Sequence, residues 1–272
     1  MKYNRKIGWH LFIWLLLCSS MVFAASEPLV MGVTPFMSPV ALFERFSPLR
    51  DYLTDKLGRE VVLETAKNYQ RFLQKIREHE YDLVFATPVI AFRALDDAHY
   101  HVGAISEKKT QPLLMVAAQS LMEYPVQLSA KKVALPPTAS VINLIAGKWF
   151  ISKGVEPDEL PEFVNYNSHN AAYQAALSGD VDAAFVASFA VKQLRKKLPI
   201  LRVIGSAGYL PGSSILYTNS LDGNLQRRLT SLMVELKQSQ QGREILNRIS
   251  FSPFRRPGSS EYEVMRAYVP VM

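Results

Sequence analysis

The sequence predicts an α/β fold in which mainly parallel sheets carry helices on their faces. Strand-like and helix-like segments alternate from Leu29 to Leu95, and the same alternation returns from Lys132 to Leu194. A β-α-β-α-β order implies a parallel sheet covered by its crossover helices. The chain has 272 residues, 49% hydrophobic and 20% charged, which suffices for one large domain or two small ones. That composition excludes a disordered tail, a collagen-like fibre and a polytopic membrane protein.

The first unit opens with Leu29–Val33, a short apolar strand broken by Thr34-Pro35. Pro39 to Leu57 then places Leu42, Phe46, Leu49 and Leu53 at helical spacing, and Gly58 closes the helix. Glu60–Glu64 is the next strand. Asn68 caps a helix holding Tyr69, Phe72, Leu73 and Ile76; Tyr81–Phe85 is a strand, and Pro88 opens a helix through Leu95. In the second unit Lys132–Leu135 is a strand, Pro136-Pro137 a turn and Ala139 to Phe150 an apolar helix. Strand Phe163–Tyr166, helix Ala171–Leu177 and strand Val181–Val186 follow, then a helix through Leu194. Asp82 and Phe85 in the first unit stand in register with Asp182 and Phe185 in the second. That pattern reads either as two lobes of like topology or as coincidence within a common β-α pattern. Leu113–Ala117 and Ile215–Thr218 are strand candidates where the chain crosses between lobes. Residues 25–117 and 214–272 are therefore assigned to lobe 1, and residues 118–213 to lobe 2. Leu221 to Ile249 reads as two amphipathic helices, the second starting after Gly242.

The N-terminus reads as a signal peptide over residues 1–24. Lys2, Arg5 and Lys6 precede the apolar run Leu11–Leu17, and Val22-Phe23-Ala24 supplies small residues for cleavage. The run is shorter than the ~20 residues of a membrane span. A lipoprotein at Cys18 is the other option, with Leu17 bulky for the usual small residue there. Cys18 is the only cysteine, so the cleaved chain holds no disulfide and no thiolate. The net charge of +7 includes those three early cations, and no acidic residue precedes Glu27. Without them 28 basic residues face 24 acidic ones. No basic stripe with interleaved aromatics appears, so nucleic acid is not an expected partner.

Candidate chemistry collects at helix starts that follow strands, where ligands bind in open α/β sheets. Pro136-Pro137-Thr138-Ala139-Ser140-Val141 runs from strand through turn into helix. Unpaired first-turn amides, the positive end of the helix dipole and the hydroxyls of Thr138 and Ser140 suit a tetrahedral oxyanion. An ordinary cap, with Thr138 satisfying its own helix, is the alternative. His169 stands at a second start, as an anion donor or as a solvent-exposed loop histidine. Tyr69 stands at a third, as a ligand contact or a half-buried anchor. Thr87 and Ser188 add hydroxyls at two more. His99-Tyr100-His101 reads as a polar loop rather than a metal site, and Arg195-Lys196-Lys197 as a solvated helix end. No cofactor or metal is expected. No GxSxG elbow, Walker loop or HExxH occurs.

Taken in order, these segments resemble the phosphate/phosphite/phosphonate group of ABC-transporter substrate-binding proteins. The resemblance is carried by Ser47-Pro48-Leu49, Asp51-Tyr52-Leu53, Leu57-Gly58, Asn68-Tyr69, Tyr81-Asp82 and Pro137-Thr138-Ala139-Ser140. It continues through Ser168-His169, the run Ala175 to Ala183, and Leu210-Pro211-Gly212-Ser213. It implies a two-lobed periplasmic-binding fold of type II with the ligand in the cleft. It also implies oxyanion contacts from Tyr69, Thr138, Ser140, adjacent amides and His169, and docking of the closed form on an inner-membrane ABC permease. The family usually shows Ser-Thr-Ser-Gly at the anion turn, where this chain has Thr138-Ala139-Ser140-Val141. Where aminoalkyl-phosphonate binders place an acid, it has Ala187-Ser188. The expected protein is thus a monomeric, non-enzymatic periplasmic carrier of phosphate, phosphite or phosphonate for an ABC importer, with Tyr69, Thr87, Thr138, Ala139, Ser140, His169 and Ser188 at the ligand. The alternatives are a sensor of the same fold docking on a kinase or chemoreceptor, and an exported hydrolase with His169 as base.

Overall fold

Two sheets organise the chain, and each grows from a three-stranded parallel core. The computed structural model describes residues 27–96, 99–138, 140–188, 191 and 201–266. The expected signal segment, Arg195-Lys196-Lys197 and most of the helix expected to end at Leu194 lie outside these. In the first sheet β1 (Leu29–Val33) pairs in parallel with β2 (Val61–Glu64) and β3 (Leu83–Ala86). Helices α1 (Pro39–Leu57) and α2 (Tyr69–Arg77) make the crossovers, and α3 (Pro88–Leu95) leads from β3 to β4 (Tyr100–Ser106). The second sheet contains β5 (Pro112–Val116), β6 (Lys132–Leu135), β7 (Glu162–Asn165), β8 (Ala183–Ala187) and β9 (Arg202–Ser206), in spatial order β7-β6-β8-β5-β9. Between them run α4 (Val141–Ile151) and α5 (His169–Ser178). The chain then returns as β10 (Ser214–Thr218), α6 (Gly223–Glu235), α7 (Gln240–Ile249), β11 (Phe254–Arg255) and α8 (Glu263–Arg266), which completes the first sheet as β11-β4-β10-β3-β1-β2.

Three sequence expectations change. The parallel arrangement is confined to β2-β1-β3 and β7-β6-β8; β10, β4 and β11 in the first sheet, and β5 and β9 in the second, are antiparallel to their neighbours. A strand that enters or leaves a lobe arrives without a crossover helix, and antiparallel pairing needs none. The first lobe was expected to run to residue 117, but Pro112–Val116 lies in the second sheet, bonded to β8 and β9. The chain therefore changes lobe before β5, at residues 107–111. Tyr100 and His101 belong to β4 rather than to a loop. The Tyr100 hydroxyl donates to the Tyr81 carbonyl at 2.8 Å, and His101 Nδ1 meets Asn219 Oδ1 at 2.7 Å. Among the described residues no group of three metal-ligating side chains forms.

Period-two alternation sorts each strand's side chains. Leu83 and Phe85 face α1, α6 and α7, whereas Val84 and Ala86 face α2 and α3. In the second sheet Ala183, Phe185 and Ala187 face α4, and Ala184 and Val186 face α5. The α4 side is filled by Trp149, stacked on Phe185 at 4.6 Å. Gly58 and Gly179 end α1 and α5 in the left-handed region, at φ 64° and 84°.

The two aspartates occupy one topological place twice. Asp82, just before β3, accepts the Val30 amide at 2.8 Å and returns its own N–H to the Val30 carbonyl. Asp182, just before β8, does the same with Lys132, at 2.9 Å. Each carboxylate stitches the entry of a central strand to its parallel neighbour, so the register between the halves reflects repeated topology. A bond to an ionised acceptor contributes about 1.5–3 kcal/mol. We expect Asp82→Ala to lower unfolding free energy by about 2 kcal/mol in urea titration, with an unchanged denaturant slope.

Candidate functional site

The two lobes are joined by paired connections. Residues 107–111 lead out of β4 into β5, and residues 207–213 lead from β9 into β10. They run antiparallel: Thr110 and Leu210 exchange both backbone bonds, at 3.0 and 2.7 Å, and the Ser106 amide donates to the Ser213 carbonyl at 2.9 Å. The Gly212 backbone lies so close that an added Cβ would sit 2.5 Å from the Lys108 carbonyl oxygen. The buried Tyr262 hydroxyl braces this crossing, donating to the Gly212 carbonyl at 3.2 Å and lying 2.6 Å from Ser214 Oγ.

Beside the crossing opens a cleft of about 850 Å³ lined from both lobes. Lobe 1 presents Tyr69 and Thr87; lobe 2 presents Ser140, Val141 and His169. All sit at the N-termini of α2, α3, α4 and α5, because in each case a parallel strand ends, a polar residue caps, and a helix begins. Four positive helix ends thus converge on one space. The caps differ in a telling way. Asn68 and Ser168 accept the Arg71 and Ala171 amides through their side chains. Ser140 Oγ accepts the Ile142 amide at 3.2 Å, which leaves its hydroxyl proton available for donation. Thr87 caps α3 without any side-chain bond. Its Oγ1 is buried and has no hydrogen-bond partner among the described residues.

His169 is the first residue of α5 and half-buried. Its Nδ1 accepts the Ala187 amide at 3.2 Å, so the proton rests on Nε2. Burial holds its pKa down, at about 4, and the imidazole is neutral at pH 7. Burial also pushes the Tyr69 hydroxyl up to about 12, which keeps it a donor. No Asp or Glu lines the cleft among the described residues; its one lining cation there is the exposed Lys108. Hydrogen-bond donors without a carboxylate among the described lining residues suit an anion, and no ionised acid there would neutralise an ammonium group.

Four of the seven residues singled out from sequence meet in the cleft: Tyr69, Thr87, Ser140 and His169. Thr138 is exposed and does not line it. The helix starts at Val141 with Ser140 as cap, two residues later than expected, which leaves Thr138 in the preceding turn. Ser188 is half-buried away from the lining, its amide spent on the Gln111 carbonyl at 2.8 Å. Ala139 lies outside the described residues. Sequence reasoning missed Lys108, Phe36 and Phe251 as lining residues. Lys108 gave no usable signal, because the sequence placed the change of lobe at Leu113–Ala117, beyond it.

Comparison with known proteins agrees with this architecture. A binding-protein component of an ABC phosphonate transporter from Pseudomonas aeruginosa matches at 18% identity and TM-score 0.66, over 88% of this chain and 84% of its own. PhnD1 from Prochlorococcus marinus, solved with methylphosphonate, matches at 18% identity and TM-score 0.70, over 88% and 97%. A Xanthomonas citri protein solved with chloride reaches TM-score 0.76 at 16% identity, over 90% and 98%. At such identities the likeness establishes the fold, the two-lobed type II periplasmic-binding architecture. The family described as "ABC transporter, phosphonate, periplasmic substrate-binding protein" matches residues 31–262. That span covers both sheets and both hinge connections, and this chain belongs to that family of periplasmic substrate-binding components, which are carriers rather than enzymes.

Proposed function

We propose that the cleft captures a phosphorus oxyanion, and that the loaded protein hands it to an ABC permease. The unpaired Thr87 hydroxyl carries the reading. A buried hydroxyl without a partner is costly, and here it belongs to a residue that lines a cavity ringed by positive helix ends, with no carboxylate among the described lining residues. Ser140, the Val141 amide and His169 Nε2 bind from lobe 2; Thr87 and Tyr69 bind from lobe 1. Because the donors are split between lobes, a ligand satisfies all of them only when the lobes close, and its binding free energy shifts the open–closed population. The methylphosphonate held by PhnD1 is a ligand of this kind. Export from residues 1–24 and action as a monomer complete the proposal.

Titration calorimetry with phosphate, phosphite, methylphosphonate and sulfate tests it. We expect saturable binding of at least one phosphorus oxyanion; no heat from any, on folded protein, would reject the ligand class. Tyr69→Phe removes one donor at constant shape and is expected to weaken that ligand by about tenfold, the effect of ~1.4 kcal/mol.

A further inference from the structure

The oxyanion donors account for only part of the cleft. On the lobe 1 side its wall is made by Phe36 and Phe251, partly buried rings that meet edge to face with centroids 6.1 Å apart. Both are rigidly mounted. Phe36 packs on the fully buried Phe46, and its amide donates to the Thr34 carbonyl at 2.8 Å. Phe251 packs on Phe85 at 4.7 Å, and its amide donates to the Leu246 carbonyl at 3.1 Å as α7 ends. Ser250 turns the chain there through the left-handed region, at φ 60°, and so aims the Phe251 ring. Of the nearby hydroxyls, Ser252 Oγ lies 3.2 Å from Ser106 Oγ, and Ser250 Oγ donates to the Asn247 carbonyl at 3.4 Å. Val89, partly buried on α3, adds to the apolar lining.

Apolar surface held open to water is unfavourable, and a ligand group that covers it recovers that free energy. A bare oxyanion has no such group. An ammonium-bearing one would meet aromatic edges and Lys108, with no carboxylate among the described lining residues to neutralise it. We propose that the physiological ligand is a phosphonate or phosphate monoester whose substituent is uncharged and apolar or aromatic, seated against Phe36 and Phe251. This rests on the oxyanion reading above and names the ligand class within it.

Calorimetry on the intact protein with methylphosphonate, phenylphosphonate and 2-aminoethylphosphonate decides. We expect phenylphosphonate to bind about tenfold or more tightly than methylphosphonate, as burial of a ring's apolar surface implies, and 2-aminoethylphosphonate to bind most weakly. In Phe36→Leu and Phe251→Leu the ratio of phenyl to methyl affinity should fall toward one. Methylphosphonate binding as tightly as phenylphosphonate, or 2-aminoethylphosphonate binding tightest, overturns the proposal, as does a ratio unmoved in both variants. The wild-type series decides by itself if a variant does not fold. Binding of none of the three overturns this inference, and the oxyanion reading falls with it only if phosphate and phosphite also give no heat.

Discussion

Thr87→Val is expected to weaken phosphonate binding by about 10- to 100-fold while leaving the protein as stable as before, or more so. The two halves of that result have separate causes. Thr87 caps α3 by its backbone alone: its carbonyl accepts the Ala91 amide at 2.8 Å and its side chain takes no part. The local polar work falls to Thr34, whose hydroxyl donates to the Phe85 carbonyl at 2.9 Å and accepts the Thr87 amide at 3.3 Å. Valine keeps the branched shape and removes a buried hydroxyl that lacks a partner among the described residues, so folding loses nothing. Binding, by contrast, loses a hydrogen bond to an anion, worth about 1.5–3 kcal/mol. Calorimetry and thermal unfolding on the same samples check both. Unchanged affinity would show that the hydroxyl does not reach the ligand; a marked fall in melting temperature would show an internal partner. Thr34→Val, which takes the acceptor from the Thr87 amide and one of two donors from the Phe85 carbonyl, should instead destabilise.

The contrast between these two threonines shows what a sequence can and cannot carry. Each follows a strand and precedes a proline, and nothing local separates the hydroxyl that bonds within the fold from the one left without a partner among the described residues. Tertiary pairing of β1 with β3 makes that distinction. The same holds at the anion turn. Thr138 and Ser140 are both capping residues, so pattern alone left the start of α4 uncertain by two residues, and that shift decides which hydroxyl enters the cleft. Elements with strong periodicity were legible: the apolar spacing from Leu42 to Leu57 and the glycines at positions 58 and 179 bound α1 and α5 correctly. β4 and β9 were not. His101 and Arg202 break the apolar alternation, and β9 is an edge strand whose Val203 is exposed. Phe36 and Phe251 carried no signal in the sequence, because their meeting depends on how the turn after β1 and the end of α7 pack on Phe46 and Phe85. The aspartate repeat was visible before folding, but its meaning needed the amides of Val30 and Lys132.

His169 should make the unliganded protein lose stability as pH falls from about 6.5 to about 4. Its Nδ1 is committed to the Ala187 amide and the ring is largely withdrawn from water, so the folded state resists the second proton. The unfolded chain does not, and takes it up near pH 6.5. With the folded pKa below the unfolded one, the unfolded state binds more protons throughout that window, so unfolding becomes easier with every step toward acid. A displacement from 6.5 to about 4 corresponds to at most ~3 kcal/mol, fully present above the upper pKa and gone below the lower. Glu261, which Arg255 holds below the usual carboxylate range, adds its own loss only further into acid. In His169→Asn the amide oxygen can take the Ala187 N–H while no group titrates, so the variant's stability should stay nearly flat across the same interval. Urea titrations at several pH values separate the cases: the stability of wild type relative to the variant is expected to fall as the pH drops, and a constant difference would mean that the ring is free to accept its proton in the fold. The functional consequence follows from the same bond. On the proposed reading, an imidazole held neutral has one ring N–H to donate, and a second would require releasing the Ala187 amide from Nδ1. Recognition, on that same reading, depends on where an oxyanion's acceptors lie relative to neutral donors and helix ends, and not on a histidine cation.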